Sequence, residues 1–304
     1  MFPHGSEWIL GFLCMAMIPA VSLSAADLRI DHVTVAGRDI RKLEANLAAV
    51  GLASVYGGAH HDQVTEMAMV SFPDGSYLET IALAPHADPH LVDRHVWAAF
   101  LKGDAGPCAW ALRGQDLAGE VRHLRSAGIA VSTPLRAGRQ RPDGTPLEWE
   151  TANVGADVRG TFFPFLIHDF TARDLRAFPQ GKPGNRDFRR VTRVVIAVRN
   201  LDAAIARYRQ AFGLPAAIQQ VDRSFGAQLA LLGNAPVVLA QPLTADSWLG
   251  KRLEEFGEAP CAFILGANHP ERCRVESKSR WFAVDISWFD SATLGWRLGF
   301  EPVE

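Results

Sequence analysis

The chain has 304 residues, of which 48% are hydrophobic and 21% charged, the composition of an ordinary globular protein long enough for two domains. Its formal net charge of −2 gives no strong attraction to nucleic acid or to an anionic membrane surface, so neither is expected as a partner. The four cysteines match neither a disulfide framework nor a zinc motif.

The first 26 residues have the pattern of a leader peptide. The apolar stretch WILGFLCMAMIPAVSLSAA (8–26) ends in small residues, as a cleavage site does. It is short for a membrane span and is interrupted by Pro19, so no stable span is expected. The absence of Lys or Arg in the first seven residues argues against export. We expect a periplasmic or secreted protein if the leader is cleaved, and a cytoplasmic protein otherwise.

A strand–helix pattern is repeated along the chain. RIDHVTVAGRDIRKLEANLAAVGL (29–52) has an apolar strand, a polar break, an amphipathic helix and a closing glycine, and RVTRVVIAVRNLDAAIARYRQAFGL (190–214) repeats that order. GPCAWALRG (106–114) similarly matches APCAFILGA (259–267). Two pairs of repeats predict two copies of one α+β module, each built from two halves of a strand, a helix and two or three further strands.

The four halves begin near residues 28, 106, 190 and 260, and the fourth contains no clear helix pattern, so it is expected to be incomplete. Proline, glycine and charged residues without periodicity indicate a linker between the modules. An extra helix is predicted over 246–256. The expected divisions are a leader (1–26), a first module (27–172), a linker (173–189) and a second module (190–304).

Two strands of the first module carry one polar side chain each among apolar residues. In IDHVTVA, alternation puts His32 on the same face as Ile30 and opposite Val33. In YLETIAL, Glu79 shares a face with Tyr77. A buried unpaired carboxylate is costly, so Glu79 must face water, a partner or a metal ion. The two side chains converge if the strands are neighbours; the alternative is a satisfied core histidine and a glutamate paired with an arginine.

These segments, together with PDGSYLE, RQRPDGTPLEWE and FFPFLIHD, resemble the vicinal oxygen chelate superfamily, which includes glyoxalases, extradiol dioxygenases and bleomycin-resistance proteins. The resemblance covers 27–172 well and 190–304 more weakly, and the first module is most similar to glyoxalase-like domains. It implies tandem modules of paired βαβββ units whose sheets curl around a central site. Metal ligands in that superfamily project inward from the first and last strands of each unit.

The resemblance implies a metal site made by His32, Glu79 and His168. Two imidazoles and a carboxylate suit a divalent ion such as Fe, Mn, Zn or Ni, and leave positions open for substrate and water. A solvated histidine at the end of a strand is the alternative for His168. Ala109, on the first strand of the second half, cannot bind a metal.

Other residues are weaker candidates for the site. His60, His61 and Glu66 are candidate acid–base groups, and two solvated loop histidines are the alternative. Arg139 and Arg141 flank a turn and are candidates to anchor a substrate carboxylate or phosphate, unless they are surface arginines.

Two tryptophans complete the set of candidates. Trp110 and Trp149 are suited to wall an apolar pocket, although aromatic residues of the core are the alternative. In the second module, Arg193 aligns with His32, and Val237 or Val238 aligns with Glu79. The second module is therefore expected to be structural or ligand-binding.

Two functions follow from the resemblance. The first is a divalent-metal-dependent enzyme that acts on a small substrate with vicinal oxygens, by isomerase, lyase or dioxygenase chemistry. The alternative is a non-catalytic protein of the bleomycin-resistance type that binds or sequesters a small molecule. His32 with Glu79 favours the enzyme, and Ala109 with the altered second module favours the binding protein.

Overall fold

The computed structural model describes residues 28–60, 63–141 and 143–303. The first module and the connection after it contain β1 (Ile30–Ala36), α1 (Ile40–Ala49), β2 (Val55–Ala59), β3 (Thr65–Ser71), β4 (Tyr77–Leu83), α2 (Pro89–Arg94), α3 (Ala98–Lys102), β5 (Gly106–Arg113), α4 (Leu117–Ser126), β6 (Leu135–Gln140), β7 (Pro146–Asn153), β8 (Phe165–Asp169) and α5 (Arg173–Ala177). The second module contains β9 (Phe188–Ala197), α6 (Leu201–Phe212), β10 (Ala217–Asp222), β11 (Ala227–Leu232), β12 (Val237–Pro242), α7 (Trp248–Phe256), β13 (Pro260–Ala267), a 3₁₀ turn (Pro270–Arg272), β14 (Ser277–Trp281), β15 (Val284–Trp288), α8 (Ser291–Leu294) and β16 (Arg297–Pro302).

Each module forms one eight-stranded sheet with the same topology. The strand order is β2-β3-β4-β1-β5-β8-β7-β6 in the first sheet and β10-β11-β12-β9-β13-β16-β15-β14 in the second. Within each half, the first strand pairs in parallel with the last, and the two halves meet where β1 pairs with β5 and β9 with β13 in antiparallel fashion. The predicted α+β fold of tandem, paired units is confirmed.

The fourth unit is incomplete in the way the sequence predicts. Between β13 and β14 the chain makes only the 3₁₀ turn, where the other three units have α1, α4 and α6. The extra helix expected over 246–256 is α7.

Local sequence signals begin and end the helices as expected. The side chains of Asp39 and Asn200 accept hydrogen bonds from backbone N–H groups at the starts of α1 and α6. Gly213 ends α6 in the left-handed conformation, with a φ of 62°.

The helix-bearing faces of the two sheets share one hydrophobic core. Val33 of β1 and Val194 of β9 both belong to it. The hydroxyl of Tyr208 on α6 donates a hydrogen bond to the carbonyl oxygen of Phe162 in the first module. Burial of apolar surface on both sides holds the modules together as one packed unit.

The first sheet curls until its edge strands, β2 and β6, face each other. Arg139 on β6 donates a hydrogen bond to the carbonyl oxygen of Gly57 on β2 at 3.0 Å. A Cβ atom at position 57 would lie 2.1 Å from the sulfur of Met67, so a larger residue there would require the buried Met67 side chain to move. The curl leaves a concave face, which α2 and α3 cover in part.

The predicted leader, 1–26, lies outside the described residues. Among the helices that the structure describes, none is both long enough and apolar enough to cross a membrane.

Candidate functional site

A cavity of about 580 Å³ lies on the concave face of the first sheet, a size typical of small-molecule sites. Its wall combines aromatic rings, three imidazoles, one carboxylate and several guanidinium groups. The residues that matter below are Tyr77, Trp149, Phe165, His32, His60, Glu79, Arg139, Arg159 and Arg176.

Parallel pairing of β1 with β4 brings two of the predicted ligands together. Thr34 is in register with Glu79, and Nε2 of His32 lies 3.9 Å from Oε2 of Glu79. The hydroxyl of Thr34 donates a hydrogen bond to the same carboxylate oxygen at 3.1 Å. All three side chains are buried, so this is a polar cluster inside the curled sheet.

An irregularity in β1 places Asp31 beside His32. The pairing of β1 with β5 shifts register between Ile30 and His32, and Ile30 packs in the shared core with Val33. Strict alternation, which predicts Ile30 on the same face as His32, is therefore wrong at this point. The carboxylate of Asp31 instead lies 2.7 Å from Nδ1 of His32.

Asp31 is ionised and fixes the orientation of the His32 ring. Nη2 of Arg176 lies 2.9 Å from its Oδ2, and Arg173 also pairs with it. Burial tends to raise the pKa of Asp31, but Arg176, His32 and Arg173 outweigh it and hold the pKa well below its usual range. An ionised carboxylate only accepts hydrogen bonds, so Nδ1 of His32 carries a proton. In the neutral imidazole, Nε2 then presents its lone pair to the cavity.

Glu79 is also ionised. Burial tends to raise its pKa, but the interaction with His60, the charges of His32 and His60, and the Thr34 hydrogen bond lower it from 4.5 to about 2. A carboxylate this acidic is a poor proton acceptor at neutral pH. Its role is instead to stabilise positive charge close to the imidazoles.

His60 lies just after β2, on the other side of Glu79. Its Nδ1 lies 2.7 Å from the hydroxyl oxygen of Thr65, and its Nε2 lies 3.7 Å from Oε1 of Glu79. The second distance is too long for a good hydrogen bond, so the attraction is mainly electrostatic. His61, the neighbouring candidate, lies outside the described residues.

Aromatic rings hold His32 from two sides. The Tyr77 ring stacks on it with centroids 4.8 Å apart and planes 5° apart, and Phe165 meets it edge-on. The hydroxyl of Tyr77 accepts a hydrogen bond from Arg176, and burial raises the pKa of Tyr77 so that the phenol stays neutral. The imidazole has little freedom to rotate away from Glu79.

His168 is not part of this cluster. Phe165 and Ile167 of β8 line the cavity, and alternation turns His168 to the opposite face. There its Nδ1 lies 3.0 Å from the carbonyl oxygen of Gly114. The predicted set of His32, Glu79 and His168 is therefore not assembled, because His168 is one residue out of register with the inward positions.

Glu66 and Trp110 also point away from the cavity. Glu66 lies between two inward residues of β3, and its carboxylate accepts a hydrogen bond from the hydroxyl of Tyr56 at 2.9 Å. Trp110 packs in the shared core on the helix-bearing face. Trp149 does line the cavity, so one of the two tryptophans predicted to line a pocket does so.

The two arginines predicted as substrate anchors are held by backbone carbonyls. Arg139 lines the cavity, but it donates a hydrogen bond to the carbonyl oxygen of Gly57 on the opposite edge strand. Arg141 donates to the carbonyl oxygens of Leu175 and Pro179 and lines a different cavity, of about 910 Å³. Arg141 therefore ties the chain after β8 to the hairpin of β6 and β7.

Three charged residues of the site have no recognisable motif in the sequence. Asp31 reaches His32 through the irregularity of β1, and Arg176 belongs to the stretch predicted as a linker. Arg159 enters the cavity from the loop before β8. The one sequence feature next to Arg159 that indicates an unusual backbone is Gly160, which has a φ of 71°.

In the second module the equivalent concave space is filled. Phe225, Trp281 and Trp288 pack against one another with centroids 5.0 to 5.3 Å apart. Leu249 and Leu253 of α7 close the same cluster. This face is a hydrophobic core rather than a binding site.

The positions of the polar cluster are also changed in the second module. Because Arg193 aligns with His32, Val195 is the counterpart of Thr34. Thr34 is in register with Glu79, and Val195 is in register with Val238. The counterpart of Glu79 is therefore Val238 rather than Val237. Arg193 pairs with Glu301 at 3.1 Å. The second module has an ion pair where the first has His32 facing a cavity.

A divalent ion is implied by the family resemblance, and the donor atoms allow a test of its fit. His32, Glu79 and His60 supply suitable donors, at the pairwise distances of 3.9 and 3.7 Å. Among the described residues, however, no group of three or more His, Cys, Asp or Glu side chains is arranged to hold an ion. The inward positions of β5 and β8 carry Ala109 and Ile167, which cannot complete a set. The described residues do not form a ready metal centre.

Comparison with known proteins agrees with this architecture. A hypothetical protein from Staphylococcus aureus has the same fold, with a TM-score of 0.62 and 14% identity over 91% of this chain and 100% of that one. Methylmalonyl-CoA epimerase from Mycobacterium tuberculosis is 20% identical, over 40% of this chain and 92% of its own, with a TM-score of 0.35. No curated protein sequence matches. The family model described as a glyoxalase-like domain matches residues 30–212, more than half of the chain, and the protein therefore belongs to the glyoxalase-like domain family of the vicinal oxygen chelate superfamily.

Proposed function

We propose that the first module is a catalytic site in which His32 transfers a proton to or from a small substrate with two neighbouring oxygens, in a reaction of the isomerase or lyase kind. The observation that carries this proposal is the position of His32 between two ionised carboxylates, with Nε2 facing the cavity. A buried imidazole held in this way is prepared to gain a proton.

His32 is the proposed general base. Asp31 holds the proton on Nδ1, so Nε2 is the atom that accepts the proton of the substrate. The imidazolium that results lies between Asp31 and Glu79, and both negative charges stabilise it. The ring contacts of Tyr77 keep Nε2 aimed at the cavity during this step.

His60 is the proposed second proton carrier. It faces the opposite oxygen of Glu79 and is more exposed than His32. A proton removed from one side of a substrate by His32 can therefore be returned, or exchanged with solvent, through a second imidazole in the same cavity. This arrangement suits an isomerisation or an elimination.

Metal dependence is a separate part of the proposal. The donor residues would be His32, Glu79 and His60, and an ion bound there would supply a positive charge against an enolate or alkoxide oxygen. Such an ion would occupy the lone pair of Nε2 of His32, so it would replace the proton transfer described above, which uses the side chains of this chain alone. Elemental analysis of purified wild type beside Glu79→Gln tests the metal: we expect any bound divalent ion to be lost in the variant.

Hydrogen exchange in D₂O tests the catalytic proposal. The protein is incubated with 2-oxo acids, beginning with pyruvate, and the loss of the signal of hydrogens next to the carbonyl is followed by NMR. We expect exchange with wild type and none above background with His32→Ala. His269→Ala, a half-exposed histidine of the second module, is the control and should match wild type.

A non-catalytic binding protein is the second candidate. Ala109 and Ile167 favour it, because they replace possible ligands on the two inner strands of the second half. Binding of the same acids without hydrogen exchange, and without loss of affinity in His32→Ala, would replace the catalytic proposal with this one.

A further inference from the structure

Arg159 is a cation of the cavity wall that the mechanism above does not use. Its guanidinium lies over the ring of Phe165, 4.2 Å from the centroid. Its Nε is buried and has no hydrogen-bond partner, and no carboxylate of the described residues pairs with it. The side chain is half-buried and feels the charge of Glu79 only at a distance, so a ligand in the cavity that accepts its hydrogen bonds would stabilise it.

The backbone around Arg159 is built to hold it there. The carbonyl oxygen of Arg159 accepts a hydrogen bond from the indole of Trp97 at 2.8 Å, and that of Gly160 accepts one from the backbone N–H of Trp110 at 3.0 Å. A Cβ atom on Gly160 would lie 3.0 Å from Ala109 and from Phe165. The loop thus packs tightly against β5 and β8 at the floor of the cavity, and it carries Arg159 inward.

The charges of the cavity are not balanced. Glu79 is the one carboxylate among the described residues of its wall, and it is already engaged by Thr34 and the two imidazoles. Arg176 is neutralised by Asp31, whereas Arg139 bonds only a backbone carbonyl. The charge of Glu79 acts on both Arg159 and Arg139, but one carboxylate cannot balance two guanidinium groups, so the wall keeps a net positive charge. Burial lowers the pKa of the Arg159 guanidinium, which remains charged at neutral pH.

We propose that Arg159 binds a carboxylate group of the substrate, so that the site acts on small carboxylic acids with an oxygen on the neighbouring carbon, such as 2-oxo or 2-hydroxy acids. The inference rests on the proposed function and names its substrate class. A guanidinium presents two parallel N–H donors that match the two oxygens of a carboxylate. Bound in this way, the acid lies in the same cavity as His32, and in a 2-oxo acid the carbonyl makes the C–H group on its other side acidic enough for a general base.

Calorimetric titration of the full chain with pyruvate and with methyl pyruvate tests this assignment, because the ester lacks only the negative charge. We expect wild type to bind pyruvate more tightly than the ester. Arg159→Gln should weaken pyruvate binding by about tenfold or more and change ester binding by less than about twofold. Arg159→Lys, which keeps the charge but not the paired donors, should fall between them. Arg280→Gln removes an exposed arginine paired with Asp285 in the second module and should bind as wild type does.

The outcomes separate this inference from the proposed function. Unchanged pyruvate affinity in Arg159→Gln, with its unfolding midpoint equal to that of wild type, would overturn the inference. The inference would also be overturned if wild type bound pyruvate no more tightly than methyl pyruvate, or bound inorganic phosphate more tightly than either compound. Binding that depends on Arg159 without hydrogen exchange would support the inference and overturn the catalytic proposal. Hydrogen exchange that persists in Arg159→Gln, with unchanged affinity for pyruvate, would support the catalytic proposal and overturn the inference.

Discussion

The ionised state of Glu79 makes a quantitative prediction about stability and pH. The pKa of Glu79 is lowered from 4.5 to about 2 in the folded protein, so its ionisation favours the folded state above pH 4.5. One pKa unit corresponds to about 1.4 kcal/mol, so the carboxylate contributes up to about 3 kcal/mol to the free energy of unfolding when the imidazoles of His32 and His60 carry the charges that lower its pKa. This contribution is lost as the pH falls from about 5 to about 2. Glutamine resembles the protonated acid, so Glu79→Gln should be less stable than wild type by up to that amount at pH 7.

Urea unfolding followed by circular dichroism at several pH values measures this difference. We expect the two free energies of unfolding to converge as the pH approaches 2, because the other titrating groups are common to both proteins and cancel in the comparison. Glu66→Gln, on the outer face of the neighbouring strand, controls for the loss of a carboxylate as such. Curves for wild type and Glu79→Gln that stay parallel from pH 7 to the acid limit would refute the assignment of Glu79 as a buried, ionised carboxylate.

Two further substitutions test the structures that support the site. Arg176→Gln leaves Asp31 buried with a weaker partner, and we expect a loss of about 3–5 kcal/mol in the free energy of unfolding, measured by urea titration; a loss below about 1 kcal/mol would contradict the ion pair. Gly160→Ala places a side chain on a left-handed backbone in tight contact with Ala109 and Phe165. We expect the free energy of unfolding to fall by about 2–4 kcal/mol, again measured by urea titration. Unchanged stability would show that the loop does not pack at the cavity floor.

The parts of the site that could be predicted from the sequence are those that depend on strand periodicity. His32 and Glu79 lie on strands whose alternation is readable, and parallel pairing of those strands follows from the repeated unit. His168 shows the limit of the same method. At the end of a strand, a shift of one residue turns a side chain from one face of the sheet to the other, and no sequence signal marks the register.

Other parts of the site depend on contacts between residues far apart in the chain. Asp31 meets Arg176 across 145 positions, and the contact requires both an irregular first strand and a folded linker. Arg159 reaches the cavity because its loop packs against β5 and β8. Gly160 permits this backbone conformation, but the glycine alone does not predict it. The cap residues Asp39 and Asn200, in contrast, act within one turn of a helix, so a residue of this type just before an amphipathic stretch is enough to predict a cap.

The second module shows what the fold itself requires. It builds the same sheet topology with Val238 in place of Glu79, and it fills the concave space with aromatic and aliphatic side chains. A carboxylate at the position of Glu79, the imidazoles of the cavity wall and the guanidinium of Arg159 are therefore not needed to form this sheet, and each is costly to bury unless another group compensates it. In the first module the same face keeps an open cavity and all of these groups. Since the fold can be made without them, their retention around one cavity is best explained by a ligand that completes their charges, and Arg159 is one cation of the wall with which no described carboxylate forms an ion pair.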